Sequence, residues 1–278
     1  MEKVITNKLS TAAEKYSLLP EEQMGARTKR STTTAVELLT EQIHTIWGGK
    51  KKQVASAISL DISGAFDNVS HARLFHNLKV KGIPIWITNF IKSFLEDRTT
   101  TIALGSFKGD QIPTNTGIPQ GSSLSPILFL FFASTLLPTL SSDNSSTIGF
   151  VDDTTILTWS SSTEENCEKP ENLHEKCISW ARLHGVKFAP EKYQLIYFSR
   201  ARKKHNMNAS MKIQNTSIKP QISLRILGIH LDPKLNWITH TKSIEVKSEK
   251  QIQALNRLVQ STKTGPDIRV PHMGQPRP

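Results

Sequence analysis

Cysteine is scarce in this chain of 278 residues: Cys167 and Cys177 are the only two. Two thiols cannot build a disulfide framework or a four-thiolate zinc site, so a reducing compartment is expected. Long apolar runs are missing too. The longest, Ile127 to Leu137, has eleven residues between Pro126 and Pro138, against the ~20 needed to cross a bilayer. A buried helix is the expectation there. The N-terminal MEKVITNKLSTAAEKY lacks the charged-then-apolar order of a secretory signal, and Glu2 and Glu14 argue against an amphipathic presequence. A soluble, intracellular chain with no membrane segment follows.

Acid is short in one region. Residues 1–199 carry 20 basic and 20 acidic side chains, whereas the last 79 residues carry 15 and 4, which accounts for the net charge of +11. Such a field suits a polyanion, most simply nucleic acid, though a membrane surface would answer equally. Hydrophobic residues make up 37%, enough for a core at this length and too periodic for a disordered chain. Length alone suggests about two domains.

Periodicity places helices over 35–47, 71–80, 86–96 and 164–184, the last ending at Gly185, and a long basic helix over 238–262. Val54 to Leu60 is a short buried run suited to a strand. Strands are also expected over 99–104, 111–115, 194–199 and 224–231, with a hairpin over 211–219 turning at Asn215-Thr216. Ser125 should cap the apolar helix and Pro126 take its first turn. Asp152-Asp153 divides 147–151 from 154–159 as a tight hairpin would. Helices and strands follow no βαβ beat, so the fold class is α+β rather than a doubly wound sheet.

Three carboxylates stand at the ends of apolar strands: Asp61 after VASAISL, and Asp152 and Asp153 between TIGFV and TTILTW. A buried-strand carboxylate needs a positive partner. From Asp143 to Glu175 there are eight acids and one lysine, so a divalent cation is the natural counter-charge. Oxygen ligation of this kind suits Mg²⁺, and two such ions can activate one oxygen and stabilise another. Each piece alone reads as readily as a turn or a helix cap. Their conjunction with the flanking motifs decides between the two.

Those motifs are Asp61-Ile62-Ser63-Gly64-Ala65-Phe66-Asp67, then Gly117-Ile118-Pro119-Gln120-Gly121-Ser122-Ser123-Leu124-Ser125-Pro126, and Phe150-Val151-Asp152-Asp153. Gly185-Val186-Lys187-Phe188-Ala189-Pro190-Glu191-Lys192 and Leu227-Gly228-Ile229-His230-Leu231-Asp232 follow. With Gln23-Met24-Gly25-Ala26-Arg27 and Arg30-Ser31-Thr32 ahead of them, the chain resembles the polymerase domain of a non-LTR (LINE-type) retrotransposon reverse transcriptase over about residues 1–262.

The resemblance implies a right-handed polymerase: partial fingers in 1–52, the palm with its antiparallel sheet in 53–235, and the start of an incomplete thumb in 236–262. Residues 263–278 would be a disordered tail that reads like a shifted frame. It implies RNA-directed DNA polymerase activity on an RNA template, a DNA primer and dNTPs, by in-line attack of a primer 3′-hydroxyl. Asp61, Asp152 and Asp153 would hold two Mg²⁺ ions (or Mn²⁺), with the Ile62 carbonyl as a further ligand. Phe66 would be a gate against the 2′-hydroxyl, or simply core. Gln120 and Gly121 would meet base or sugar, Gly121 allowing a close backbone approach, or form a plain turn. Arg27 and Arg30 would bind phosphate from the fingers, or lie in a solvated loop. Lys192 would protonate the departing pyrophosphate, or be an ordinary surface lysine. A nuclear location follows from the family, with the mitochondrion left open; no protein partner is indicated.

Ala26 stands where the family usually has an aromatic, and Val151 where alanine is commoner. Earlier fingers strands and any endonuclease, ribonuclease H or zinc-knuckle segment are missing from this reading. An inactive remnant that only binds nucleic acid is the competing account. An intron maturase is another, although its dedicated segment after the thumb is not seen. Cys167, His174 and Cys177 lack the spacing of a zinc site, and Cys177 and Trp180 are expected on the core face of their helix.

Overall fold

The computed structural model describes residues 1–49 and 53–263. The expected tail therefore lies outside the described residues from 264 onward, as does Lys50-Lys51-Lys52. The chain divides into a unit of Met1–Asn236 and a second of Trp237–Pro278. In the second, one helix, Ile238–Lys263, occupies the described residues beyond Trp237.

The first unit opens with α1 (Glu2–Lys15) and α2 (Thr32–Gly48), then β1 (Val54–Leu60), β2 (Ile62–Ser63), α3 (His71–Val80) and α4 (Ile85–Leu95). A hairpin, β3 (Thr99–Leu104) and β4 (Phe107–Pro113), precedes α5 (Ser125–Ala133) and α6 (Leu136–Thr139). Then come β5 (Ser145–Phe150), β6 (Asp153–Ser160), α7 (Thr163–His184), β7 (Lys187–Phe188) and β8 (Gln194–Phe198). Two small hairpins close the unit: β9 (Met211–Ile213) with β10 (Thr216–Ile218), and β11 (Leu224–Ile226) with β12 (Ile229–Leu231). The α+β expectation holds.

The central element is a four-stranded antiparallel sheet in the order β5-β6-β1-β8. Alternation along each strand splits its side chains between two cores, as a period of two requires. Val54, Ile58, Leu60, Ile156, Leu195 and Tyr197 face the larger core, with the α5 residues Phe129, Phe131 and Phe132. Ala55, Ala57, Leu157, Ile196 and Phe198 face the other, covered by Val36, Leu39 and Ile43 of α2 and by Leu224 and Leu231. This double cover explains why β1 reads as a continuous apolar run.

Several expectations change. Residues 2–15 form a helix that buries Ile5, Leu9 and Ala13. The apolar run is not one helix but two, α5 ending at Ala133 and α6 resuming at Leu136. Ser125 does not cap α5; it sits inside the first turn after Leu124, and its hydroxyl donates to the Pro119 carbonyl at 2.6 Å. The strand expected over 224–231 is a hairpin, because Leu227 and Gly228 both take positive φ (49° and 86°) and reverse the chain. The 211–219 hairpin turns at Gln214-Asn215, one residue early, since Gln214 is the left-handed position and Thr216 already pairs with Ile213. The strand after the 99–104 run begins at Phe107, not Gln111. Among the described residues no helix is long and apolar enough to cross a membrane.

Candidate active site

The register of the sheet brings the separated carboxylates to one end. Leu60 pairs with Thr154 at the end of β1, so Asp61 emerges beside Asp153, the first residue of β6. Phe150 and Asp153 pair across a two-residue turn whose second member is Asp152. Partial burial, then the negative charges of Asp152 and Asp61, hold the Asp153 carboxyl above the ordinary carboxylate value, although the side chain still reaches solvent. Among the described residues neither Asp152 nor Asp153 has a basic side chain as ion-pair partner. Asp61 does have one: Lys192 Nζ lies 3.2 Å from its Oδ2, both side chains being substantially exposed.

Short backbone ties hold this end. The Ala189 N–H donates to the Asp61 carbonyl at 3.0 Å, and Ile62 pairs with Phe188 in the two-stranded ladder β2-β7. That ladder delivers the 3₁₀ turn Pro190–Lys192, and with it the lysine, to Asp61.

The turn carrying Asp152 is strained. Val151 has φ +60°, a region that costs a residue with a Cβ ~1–2 kcal/mol and a β-branched one more readily still. The buried Gln23 amide holds it there: Oε1 accepts from the Val151 N–H at 3.1 Å and Nε2 donates to the Val151 carbonyl at 3.2 Å. Gln23 Oε1 also accepts from the Gly25 N–H. Met24 N–H and Gly149 C=O, and Gly149 N–H and Glu22 C=O, lace the same segment to β5 at 2.7 and 2.9 Å. A Cβ on Gly25 would lie 2.5 Å from the Val151 nitrogen, so only glycine lets the two backbones approach this closely. Gln23 and Gly25 belong to a motif quoted for its arginines. Their contact spans 128 positions, and no local signal announces it.

A second lacing joins the segment after Asp61 to the 116–121 loop. The Gly117 N–H donates to Val69 and the Ile118 N–H to the Phe66 carbonyl, both at 2.9 Å. Gln120 Nε2 donates to Asp67 Oδ1 at 3.2 Å, so its amide faces the Asp61 segment. Gly121 has φ +89°, and a Cβ there would meet nothing of the chain within 4 Å. Conformation, not a close approach within the chain, asks for glycine at 121. The close approach belongs to Gly117, where a Cβ would lie 2.7 Å from the Asp67 carbonyl oxygen. Phe66 is half-buried, its ring stacked on Phe129 with centroids 5.2 Å apart. It is thus a core contact with one part still open.

The two arginines go elsewhere. Arg27 is 7% exposed, and its guanidinium forks onto both Glu14 oxygens at 2.9 and 2.7 Å and bonds the Pro20 carbonyl. A guanidinium so spent, which also holds the Glu14 carboxyl below its usual value, has no free face for a phosphate. The expected substrate role does not fit it; it ties α1 to the 20–27 segment. Arg30 pairs with Glu21 and the Gln23 carbonyl. Cys167 and Cys177 are buried on α7, Cys167 Sγ lying 3.0 Å from the Tyr197 hydroxyl and burial pushing the Cys177 thiol up to about 12. Trp180 packs in the same core.

The donor set suits a hard cation: every candidate ligand is an oxygen, from three carboxylates and the Ile62 carbonyl, and the carboxylates' mutual repulsion is what a divalent ion relieves. Among the described residues, no three His, Cys, Asp or Glu side chains converge closely enough to hold an ion as they stand. Asp61 is turned to its lysine.

A family model described as reverse transcriptase (RNA-dependent DNA polymerase) matches residues 1–231. The chain belongs to the reverse transcriptase family. It is 28% identical to the RNA-directed DNA polymerase from mobile element jockey of Drosophila melanogaster, covering 93% of this chain and 28% of that protein. It is 25% identical to the probable RNA-directed DNA polymerase from transposon BS of the same species, over 95% of this chain and 29% of the relative. A type-1 R2 retrotransposable-element Pol polyprotein of Popillia japonica is 28% identical over 51% of the chain and 24% of its own length. The chain thus spans under a third of these curated relatives. Among solved structures, apo telomerase of Candida tropicalis, truncated from its C-terminal domain, superposes with a TM-score of 0.57 at 17% identity, over 84% of this chain and 44% of that one. That likeness is one of fold, a polymerase palm of α+β type.

Proposed function

We propose that this chain is the catalytic core of an RNA-directed DNA polymerase of the non-LTR retrotransposon type, extending a DNA primer on an RNA template with dNTPs. The observation that carries the reading is the strand register that brings Asp61 beside Asp152-Asp153 across ninety intervening residues. On this reading residues 1–52 are partial fingers, 53–235 the palm and 236–262 the start of a thumb. Asp61, Asp152 and Asp153 would hold two Mg²⁺ ions, with the Ile62 carbonyl a further ligand. Such ions, when bound, lower the barrier by stabilising both the attacking and the leaving oxygen.

The chain's own part is positioning. The carboxylates would hold the ions where the 3′-hydroxyl and the triphosphate meet, and fixed geometry is what converts two bound reactants into one reacting pair. Lys192, once released from Asp61, would supply a proton to the leaving pyrophosphate. The open part of Phe66 would abut the nucleotide sugar and disfavour a 2′-hydroxyl. Gln120, already facing Asp67, would read the sugar or base edge beside it, with Gly121.

Primer extension on an RNA template with Mg²⁺ and dNTPs tests this directly. Wild-type chain should extend, and Asp152→Asn should lose on the order of 10³-fold or more, at least ~4 kcal/mol of transition-state stabilisation, while still binding template–primer. Wild-type protein that binds template–primer yet never extends it would return the reading to an inactive, nucleic-acid-binding remnant.

A further inference from the structure

At the end of the sheet opposite the carboxylates, the chain leaves β8 at Phe198 and makes a compact turn over residues 199–209. Ala55 pairs with Phe198 and Leu60 with Thr154, so the two ends are roughly 20 Å apart at ~3.3 Å per residue. The turn lines a cavity of about 740 Å³ with Arg200, Arg202, Lys203, Lys204, His205 and, from a neighbouring loop, Lys234. No carboxylate lines it. Among the described residues, none of its arginines and lysines takes part in an ion pair.

These cations are not on a loose tail. The Lys204 N–H donates to Ala201 and the Met207 N–H to His205, closing successive turns at 2.9 and 3.0 Å. Thr163 Oγ1 donates to the Asn206 carbonyl and Asn206 Nδ2 to Glu164 Oε1, pinning the turn to α7. The Ser199 N–H bonds the Pro233 carbonyl, which fixes the Lys234 loop beside it. Arg200 lies 4.9 Å over the Trp47 ring. The fold thus holds like charges together against their repulsion, with the Glu164 carboxylate near His205 offsetting only part of it. The missing partner is an extended anion.

We infer that this turn is a second nucleic-acid contact, gripping the phosphate backbone at a distance from the catalytic cleft. Its chemistry is that of backbone rather than base recognition: point charges and guanidinium forks suit phosphates, and no Phe, Tyr or Trp lines the cavity for a base to stack on. It also lacks the large exposed apolar side chains with which a membrane-surface segment inserts. The contact would lengthen the bound footprint and add affinity without sequence preference.

Arg202, Lys203 and Lys204 are exposed, so the triple variant Arg202→Gln, Lys203→Gln, Lys204→Gln should fold with an unchanged Tm. Binding of a short labelled RNA–DNA hybrid to the full chain is measured across about 50 to 200 mM salt. Each lost phosphate contact removes about 0.9 from the log–log salt slope, so the slope should become shallower by roughly 2.7. The kcat for extension at saturating template–primer should stay at the wild-type value. An unchanged slope, or a fall in kcat with the slope intact, overturns the inference. So does a variant that loses affinity for anionic-lipid vesicles and not for the hybrid. None of the carboxylates enters this contact; a wild-type chain that fails to extend, with a triple variant whose salt slope is still shallower, would leave the contact standing while the catalytic reading fell.

Discussion

The two ends of one sheet carry opposite charges, and they are built to opposite standards. At the acidic end three aspartates sit on a strained turn and a strand terminus. There the backbone is laced by Gln23, Gly25, Gly149 and Ala189 through bonds of about 3 Å. At the basic end the turn is itself fixed but leaves the side chains of Arg202, Lys203 and Lys204 exposed to solvent. The difference matches what each charge can do. Aligning a reacting oxygen needs placement to a fraction of an ångström, so strain and close packing are tolerated there. Holding a polyanion needs only summed charge, so flexible tips suffice.

If that contrast is real, small changes should hurt the acidic end and be tolerated at the other. Of the changes that leave the aspartates in place, Gly25→Ala should have the largest effect. Its new Cβ would collide with the Val151 backbone, and forced shifts of this kind cost ~1–3 kcal/mol. Displacing the Asp152 turn should lower extension by about 10²-fold. Thermal unfolding and steady-state extension check the two halves; an alanine variant with wild-type kcat would show that the turn is not held from this side.

Gln23→Ala should be next. It strips Val151 of both its clamp bonds and leaves buried groups unpaired, a loss of about 1–3 kcal/mol. The kcat should fall about tenfold with KM for dNTP near wild type, since Gln23 positions the turn and touches no substrate. Gln23→Glu, which keeps the acceptor and loses the donor, should fall between. Equal loss in kcat and KM would instead mean a general loosening of the site.

The smallest effect concerns Asp153, whose carboxyl is held above its ordinary value by burial and by Asp152 and Asp61. A folded chain with such a group binds the proton more tightly than the unfolded one. Stability therefore falls as pH rises from the ordinary carboxylate range through the raised value, and the penalty is complete above it. In chelator at neutral pH, Asp153→Asn should raise Tm slightly, and the gain should vanish below the ordinary carboxylate range. Added Mg²⁺ should raise the wild-type Tm and leave the variant less affected. A variant less stable than wild type at neutral pH would mean that Asp153 is not the repelled charge described.

Much of this was legible in one dimension. Strand β1 and helix α3 fall where the pattern puts them because local periodicity and capping by Ser70 decide them. Helix α7 likewise starts at its Ser162 cap and stops at Gly185 in the left-handed region. The helix over 2–15 was not read as one, since its apolar face is only three residues, Ile5, Leu9 and Ala13, and is justified by the core it joins. The burial of Arg27 is illegible for a similar reason. Its partner Glu14 lies thirteen residues away across a bend, so a buried ion pair looked like a free basic loop.

Residue type and order alone determined the family and the α+β class and marked three aspartates as candidates, because each is carried by contiguous motifs whose chemistry is local. Only the folded chain decided which groups meet. Strand register brings Asp61 to Asp153, a glutamine from the N-terminal segment holds the turn between them, and four exposed cations come to share a cavity with Lys234. Such encounters depend on pairing across about a hundred residues, and nothing in a linear pattern encodes a distance.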